Sequence, residues 1–137
     1  EGHRADAQAN WAFMRHRQTG VLTALRYRTH DGYRPTDMVR LVSGDVLVLE
    51  RYFSWLIGVT TRIRLIDAQA LLAPKDNQLL LSTEVARFET DVLVDNFEGM
   101  DAVRDPTTNE TTLFIIADNN YKSIQRTLLY QFRFGAL

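Results

Sequence analysis

From Trp11 onward the chain runs in short stretches of β type, divided by turn residues at Gly20, Asp31-Gly32, Ser43-Gly44-Asp45, Gly58, Pro74 to Asn77 and Asp105 to Asn109. Such regular punctuation predicts an all-β sandwich, barrel or propeller. Two stretches, Val46-Leu47-Val48-Leu49 and Leu113-Phe114-Ile115-Ile116-Ala117, are apolar at every position, so both faces of those strands should be covered, as in stacked sheets. Others alternate. Arg62-Ile63-Arg64-Leu65-Ile66 and Leu129-Tyr130-Gln131-Phe132-Arg133-Phe134 read as strands with one wet face, on the outside of the same sheets. The first ten residues are polar and alanine-rich with no alternation, which predicts a disordered or short helical lead before a β-domain over 11–137.

Self-similarity sharpens the architecture. Arg34-Pro35-Thr36-Asp37-Met38-Val39-Arg40 aligns with Glu98-Gly99-Met100-Asp101-Ala102-Val103-Arg104, sharing Asp, Val and Arg in register 64 positions apart. A turn and an apolar strand follow each, then Glu50-Arg51-Tyr52-Phe53 in one case and Asp118-Asn119-Asn120-Tyr121 in the other, 68 positions apart. A repeat of this length fits a large propeller blade. The expectation is two to two and a half blades of short antiparallel strands, which is less than a closed ring of about 4 to 8. Exposed sheet edges and an apolar inter-blade face should then be covered by a missing N-terminal part of the same protein or by another copy.

Composition changes this picture little. The 137 residues are 45% hydrophobic and 24% charged, an ordinary globular balance. No apolar run is long enough to span a bilayer, and the start Glu1-Gly2-His3-Arg4 has neither an initiator Met nor an apolar signal core, as expected of a trimmed piece of something longer. The absence of cysteine excludes disulfides, thiolate metal sites and cysteine nucleophiles. The net charge of −1 hides an asymmetry: residues 1–40 carry seven arginines against Glu1, Asp6, Asp31 and Asp37, whereas residues 84–118 carry nine acids against Arg87 and Arg104. A cation suits the acidic half, and no basic groove with interleaved aromatics points to nucleic acid.

Three segments carry a family resemblance. Tyr33-Arg34-Pro35-Thr36-Asp37 leads into Gly44-Asp45-Val46-Leu47-Val48-Leu49-Glu50-Arg51; Asp95-Asn96-Phe97-Glu98-Gly99-Met100 follows; and Ala117-Asp118-Asn119-Asn120 precedes Gln125-Arg126-Thr127-Leu128-Leu129. In order and separation, over residues 27 to 134, these resemble the C-terminal part of the esterase-like phytase family. The resemblance implies a propeller-like, exported bacterial protein, periplasmic or secreted. It further implies Glu and Asp residues that hydrolyse phosphoesters or other esters, with Ca²⁺ as the cofactor to test for.

In a propeller, repeat-equivalent positions at inner-strand ends converge on one mouth, where carboxylates can hold a hard cation. The expected catalytic residues are Glu50, Glu98 and Asp118. The metal set would be Glu98, Asp118, Asp37 and Asp101, and a bound cation can clamp a phosphate or activate water. Arg51, on the sheet face opposite Glu50, would hold substrate phosphate with Asn119 and Asn120. Structural duty competes throughout: Asp37 and Asp101 as turn caps, Glu98 and Asp118 paired with arginines, the two asparagines in turns. His3, His16 and His30 show no metal-ligand spacing, and serine-elbow, phosphate-loop and EF-hand motifs are absent. Tyr52-Phe53-Ser54-Trp55-Leu56-Ile57-Gly58 reads as an aromatic loop after a strand, and Trp11, Phe53, Trp55 and Phe97 are expected to line a ligand mouth or pack between blades. Two functions remain: a calcium-assisted phosphoesterase or esterase, and a non-catalytic propeller module that binds a ligand or protein with structural metal.

Overall fold

The computed structural model describes residues 8–56, 58–88, 96–118 and 127–134. Ten strands and one short helix follow in order: β1 (Ala9–Arg15), β2 (Leu22–Arg28), β3 (Arg34–Arg40), β4 (Val46–Ser54), β5 (Gly58–Ile66), α1 (Gln69–Leu72), β6 (Gln78–Leu80), β7 (Thr83–Phe88), β8 (Phe97–Arg104), β9 (Thr111–Ala117) and β10 (Leu128–Phe134). The chain is all-β, as its alternation predicts. The strand β1 begins within the expected lead, at Ala9.

Turn chemistry places the strands. Asp31, Gly32, Gly44, Gly58, Asn77 and Asn109 all take positive φ, the left-handed region that Gly, Asn and Asp tolerate, at the predicted breaks. At Gly32, where φ is +78°, a Cβ would also crowd the Tyr52 ring at 3.1 Å, so both backbone and packing favour glycine. His16 caps the β1–β2 turn, with its Nδ1 accepting the Thr19 N–H at 3.2 Å.

Among the described residues the strands form three sheets, none closed on itself, ordered β1-β2-β6, β3-β4-β5-β7 and β8-β9-β10. Each sheet starts at one edge with its N-terminal strand and builds outward. The second sheet is central. One of its faces gives Leu47, Leu49 and Ile63 to a core shared with Phe97, Met100, Leu113, Ile115 and Ala117 of the third sheet. Its other face gives Val48 and Ile66 to a smaller core with Leu25, Tyr27 and Leu80 of the first. After β5 the chain crosses through α1 to lay β6 parallel to β2, then returns as β7 beside β5. That excursion ties the first sheet to the second.

Three expectations need correction. The β9 run is covered on one face only: Leu113, Ile115 and Ala117 are buried, but Ile116 is 45% exposed, because no described sheet lies beyond it. The alternation at Arg62 does not mark a wet face: Arg62 is 1% exposed, since a carboxylate buried on the neighbouring strand neutralises it. Tyr52, Phe53 and Ser54 are not loop but the last residues of β4, which runs on into a hairpin with β5.

Candidate functional site

The first strands of the central and third sheets, β3 and β8, lie side by side, and each carries an irregularity near its start. In β3 the register against β4 shifts between Pro35 and Asp37; in β8 the register against β9 shifts between Phe97 and Gly99. A bulge re-aims the side chain at the extra residue, which in β8 is Glu98. Gly99 permits this local path: a Cβ there would stand 2.7 Å from Ile116 Cγ2.

The bulge turns Glu98 toward the end of the central sheet. Its Oε1 lies 4.0 Å from Nη1 of Arg51, both side chains partly exposed, and also accepts from Asn96 Nδ2. Arg51 pairs directly with Arg34 in the β3–β4 ladder, so the two guanidinium stems leave the same face as cross-strand neighbours. Like charges directly opposite are unfavourable unless an anion lies between them. Asp118 follows β9, whose Ala117 pairs with Phe97, and its backbone N–H donates to the Asn96 carbonyl at 3.1 Å. Arg34, Arg51, Glu98 and Asp118 thus gather at one end of two adjacent sheets. Glu98 and Asp118 are exposed.

Glu50 stands apart. It lies on the opposite side of β4 from Arg51, 0% exposed, with Oε2 at 2.5 Å from Arg62 Nε and Oε1 accepting from the Tyr27 hydroxyl at 2.8 Å. It faces the first sheet, while Arg51 faces the third. The 68-residue alignment of Glu50 with Asp118 therefore does not describe equivalent places: one is sealed between sheets, the other exposed. Burial is the main cause that pushes the Tyr27 phenol well above its ordinary pKa, and the negative charge of Glu50 adds to it.

Asp37 and Asp101 do occupy equivalent places. Each accepts the N–H of the next residue on its own strand, Met38 and Ala102, at 2.8 Å in both cases. Asp37 does more: its Oδ2 accepts the Met100 N–H of β8 at 2.6 Å, fastening the central sheet to the third. Among the described residues no three His, Asp or Glu side chains converge on a point that could hold a metal ion. Asn119 and Asn120 fall outside the described residues.

Sequence reasoning passed over two members. Arg34 and Asn96 stood within the quoted motifs but held no role; the signal that could have found Arg34 was its alignment with Glu98 in the repeat. The aromatic hairpin tip rises from the same end of β4, with Phe53 edge-on to Trp55 at 5.7 Å and Trp55 94% exposed.

The profile of the Phytase-like family, described as esterase-like activity of phytase, matches residues 2–121. The match starts well before the resembling motifs and reaches past Asp118. No curated protein and no solved structure matches the chain.

Proposed function

Because the chain belongs to the Phytase-like family, esterase-like activity of phytase, we propose that it hydrolyses phosphoesters or related esters at the cluster of Arg34, Arg51, Glu98 and Asp118. The observation that carries this reading is the cross-strand pair Arg34–Arg51 with Glu98 beside it. Two planar guanidinium groups on one face suit the oxygens of a phosphoryl group, which they bind and whose growing charge they offset. One exposed carboxylate, Glu98 or Asp118, takes a proton from water as its oxygen attacks phosphorus. The carboxylic acid so formed then gives that proton to the leaving alkoxide as the P–O bond breaks. Glu50 takes no part in this scheme: it pairs with Arg62 within the central sheet and ties that sheet to the first through the Tyr27 hydroxyl.

Calcium belongs to the same reading through Glu98 and Asp118 alone. A calcium ion takes about 6 to 8 oxygen ligands, and Asp37 already commits both carboxylate oxygens to backbone N–H groups. The described donors do not make a complete calcium cage. The three stacked sheets, each begun by its N-terminal strand at one edge, are in this proposal the blades of a propeller, and the address is periplasmic or secreted. No helix among the described residues is long and apolar enough to cross a membrane.

A chromogenic phosphomonoester and phosphodiester assay tests the proposal on the wild-type chain, Arg51→Ala and Glu98→Gln, with chelator and added calcium as parallel arms. Turnover lost in both variants at unchanged melting temperature supports it. Turnover indifferent to both changes rules the cluster out. Phosphate binding without turnover assigns the site to a non-catalytic binding module.

A further inference from the structure

The two end faces of the sheet stack differ in character. Beyond the third sheet lies the face carrying Asp101, with Val103, Ile116 and Leu129 exposed. Beyond the first lies the face of Trp11 and Phe13, stacked at 6.4 Å between centroids, with Arg15 and Leu22 cross-strand partners beside them. Trp11 is 64% and Phe13 63% exposed, and such a patch on an outer sheet face marks a contact surface.

The contact between central and third sheets shows how such a face is used. Asp37, on the face of the central sheet that looks forward, holds the Met100 N–H of β8, an edge strand whose backbone groups on that side have no ladder partner. Asp101 repeats Asp37 in sequence, in its own-strand hydrogen bond and in facing direction, since its neighbours Met100 and Ala102 pack backward onto the central sheet. The β1 strand is the edge of the first sheet as β8 is of the third, so alternate N–H groups along it point outward. The β1 strand carries no acid, and between it and β3 lies an apolar cavity of about 460 Å³ lined by Ala12, Met14, Tyr27, Pro35, Met38 and Val48. The sheets approach where the aspartate fastens them and gape where it is missing.

We propose that the outer face of the third sheet docks the outer face of the first sheet of a second copy, with Asp101 accepting an outward N–H from that copy's β1. The apolar residues Val103, Ile116 and Leu129 meet Trp11, Phe13 and Leu22, and the acid of one face meets Arg15 of the other. The contact repeats an interface already present within the chain. It is heterologous, head to tail, so copies add in one direction until they close or run on.

Sedimentation velocity over a concentration series tests this. The wild-type chain associates. Asp101→Ala weakens association on the order of tenfold, the effect of losing one hydrogen bond to a charged acceptor. Trp11→Glu and Ile116→Lys are each monomeric alone, yet a mixture of the two forms dimers, since one intact face of each kind remains. Thermal melts confirm that each variant folds. A wild-type chain monomeric at its highest soluble concentration would overturn the assignment to a second copy, leaving the face to a further sheet of other origin. A folded pair of variants that fails to combine would overturn the head-to-tail arrangement, and association unaffected by Asp101→Ala would overturn the role of that carboxylate.

Discussion

Arg62 Nε lies 2.5 Å from Glu50 Oε2, directly across the β4–β5 ladder, and neither side chain reaches solvent. Both ends are saturated. Arg62 also donates through Nη2 to the His30 carbonyl at 3.0 Å and stands 3.8 Å over the Tyr33 ring, while Glu50 accepts from Tyr27. A buried pair so completed adds little net stability over an apolar pair, but breaking it strands a charge. Glu50→Ala should therefore cost about 3 to 5 kcal/mol in urea unfolding, and Glu50→Leu/Arg62→Leu considerably less than the sum of its single changes. Additive losses would mean the two side chains do not act as a pair.

The Asp37 carboxylate joins two sheets, so removing it should loosen them locally. Asp37→Ala should cost about 1.5 to 3 kcal/mol, the range for a hydrogen bond to a charged group, with Asp37→Asn intermediate because one acceptor oxygen remains. Amide hydrogen exchange at Met100 should accelerate in the alanine variant. Unchanged exchange there would show that the Met100 N–H is protected by something other than Asp37.

How far this was legible depended on what each residue type reveals alone. Asp31-Gly32 and Gly44 marked turns because few residues accept positive φ, and the Asp37–Asp101 repeat survived because the two strands keep the same facing. Glu50 and Asp118 misled: both follow an apolar strand, but Asp37 pairs with Leu49 and Asp101 with Phe114, so Glu50 stands one position past that partner and Asp118 four, an odd difference that puts them on opposite faces. Arg62 misled for another reason. An arginine every second position looks solvated unless its partner is known, and Glu50 lies twelve positions away on another strand. Arg34 and Arg51 come together only through the β3–β4 register, which the turn at Ser43-Gly44-Asp45 sets and which neither residue announces.

The Arg34–Arg51 pair gives the candidate site a signature independent of turnover. A ligand that binds only the folded state raises the melting temperature with its concentration. Inorganic phosphate should stabilise the wild-type chain against heat and lose that effect in Arg34→Ala and Arg51→Ala. Without phosphate, Arg34→Ala should be as stable as wild type or slightly more, since a like-charge neighbour has gone. Equal protection of all three proteins would place phosphate elsewhere.

Glu84 offers the clearest dependence on pH. Its carboxylate takes two hydrogen bonds from Arg87, Nε and Nη2 each at 2.8 Å, and lies 3.5 Å from Arg62 Nη1 and 3.8 Å from Arg64 Nη1. The bond to Arg87 is the largest cause holding its pKa below the ordinary value, with the charges of Arg87, Arg62 and Arg64 adding to it against a smaller effect of burial. In the unfolded chain the group titrates near its usual pKa of about 4.3. A depressed folded value means the charged form is favoured by folding, so the contribution is whole above the unfolded pKa and fades as pH falls through the folded one. The urea midpoint of Glu84→Gln should lie below that of wild type at neutral pH, and the gap should narrow only in acid, below about pH 4.3. A gap constant down to the acid transition would show that Glu84 acts through packing rather than charge.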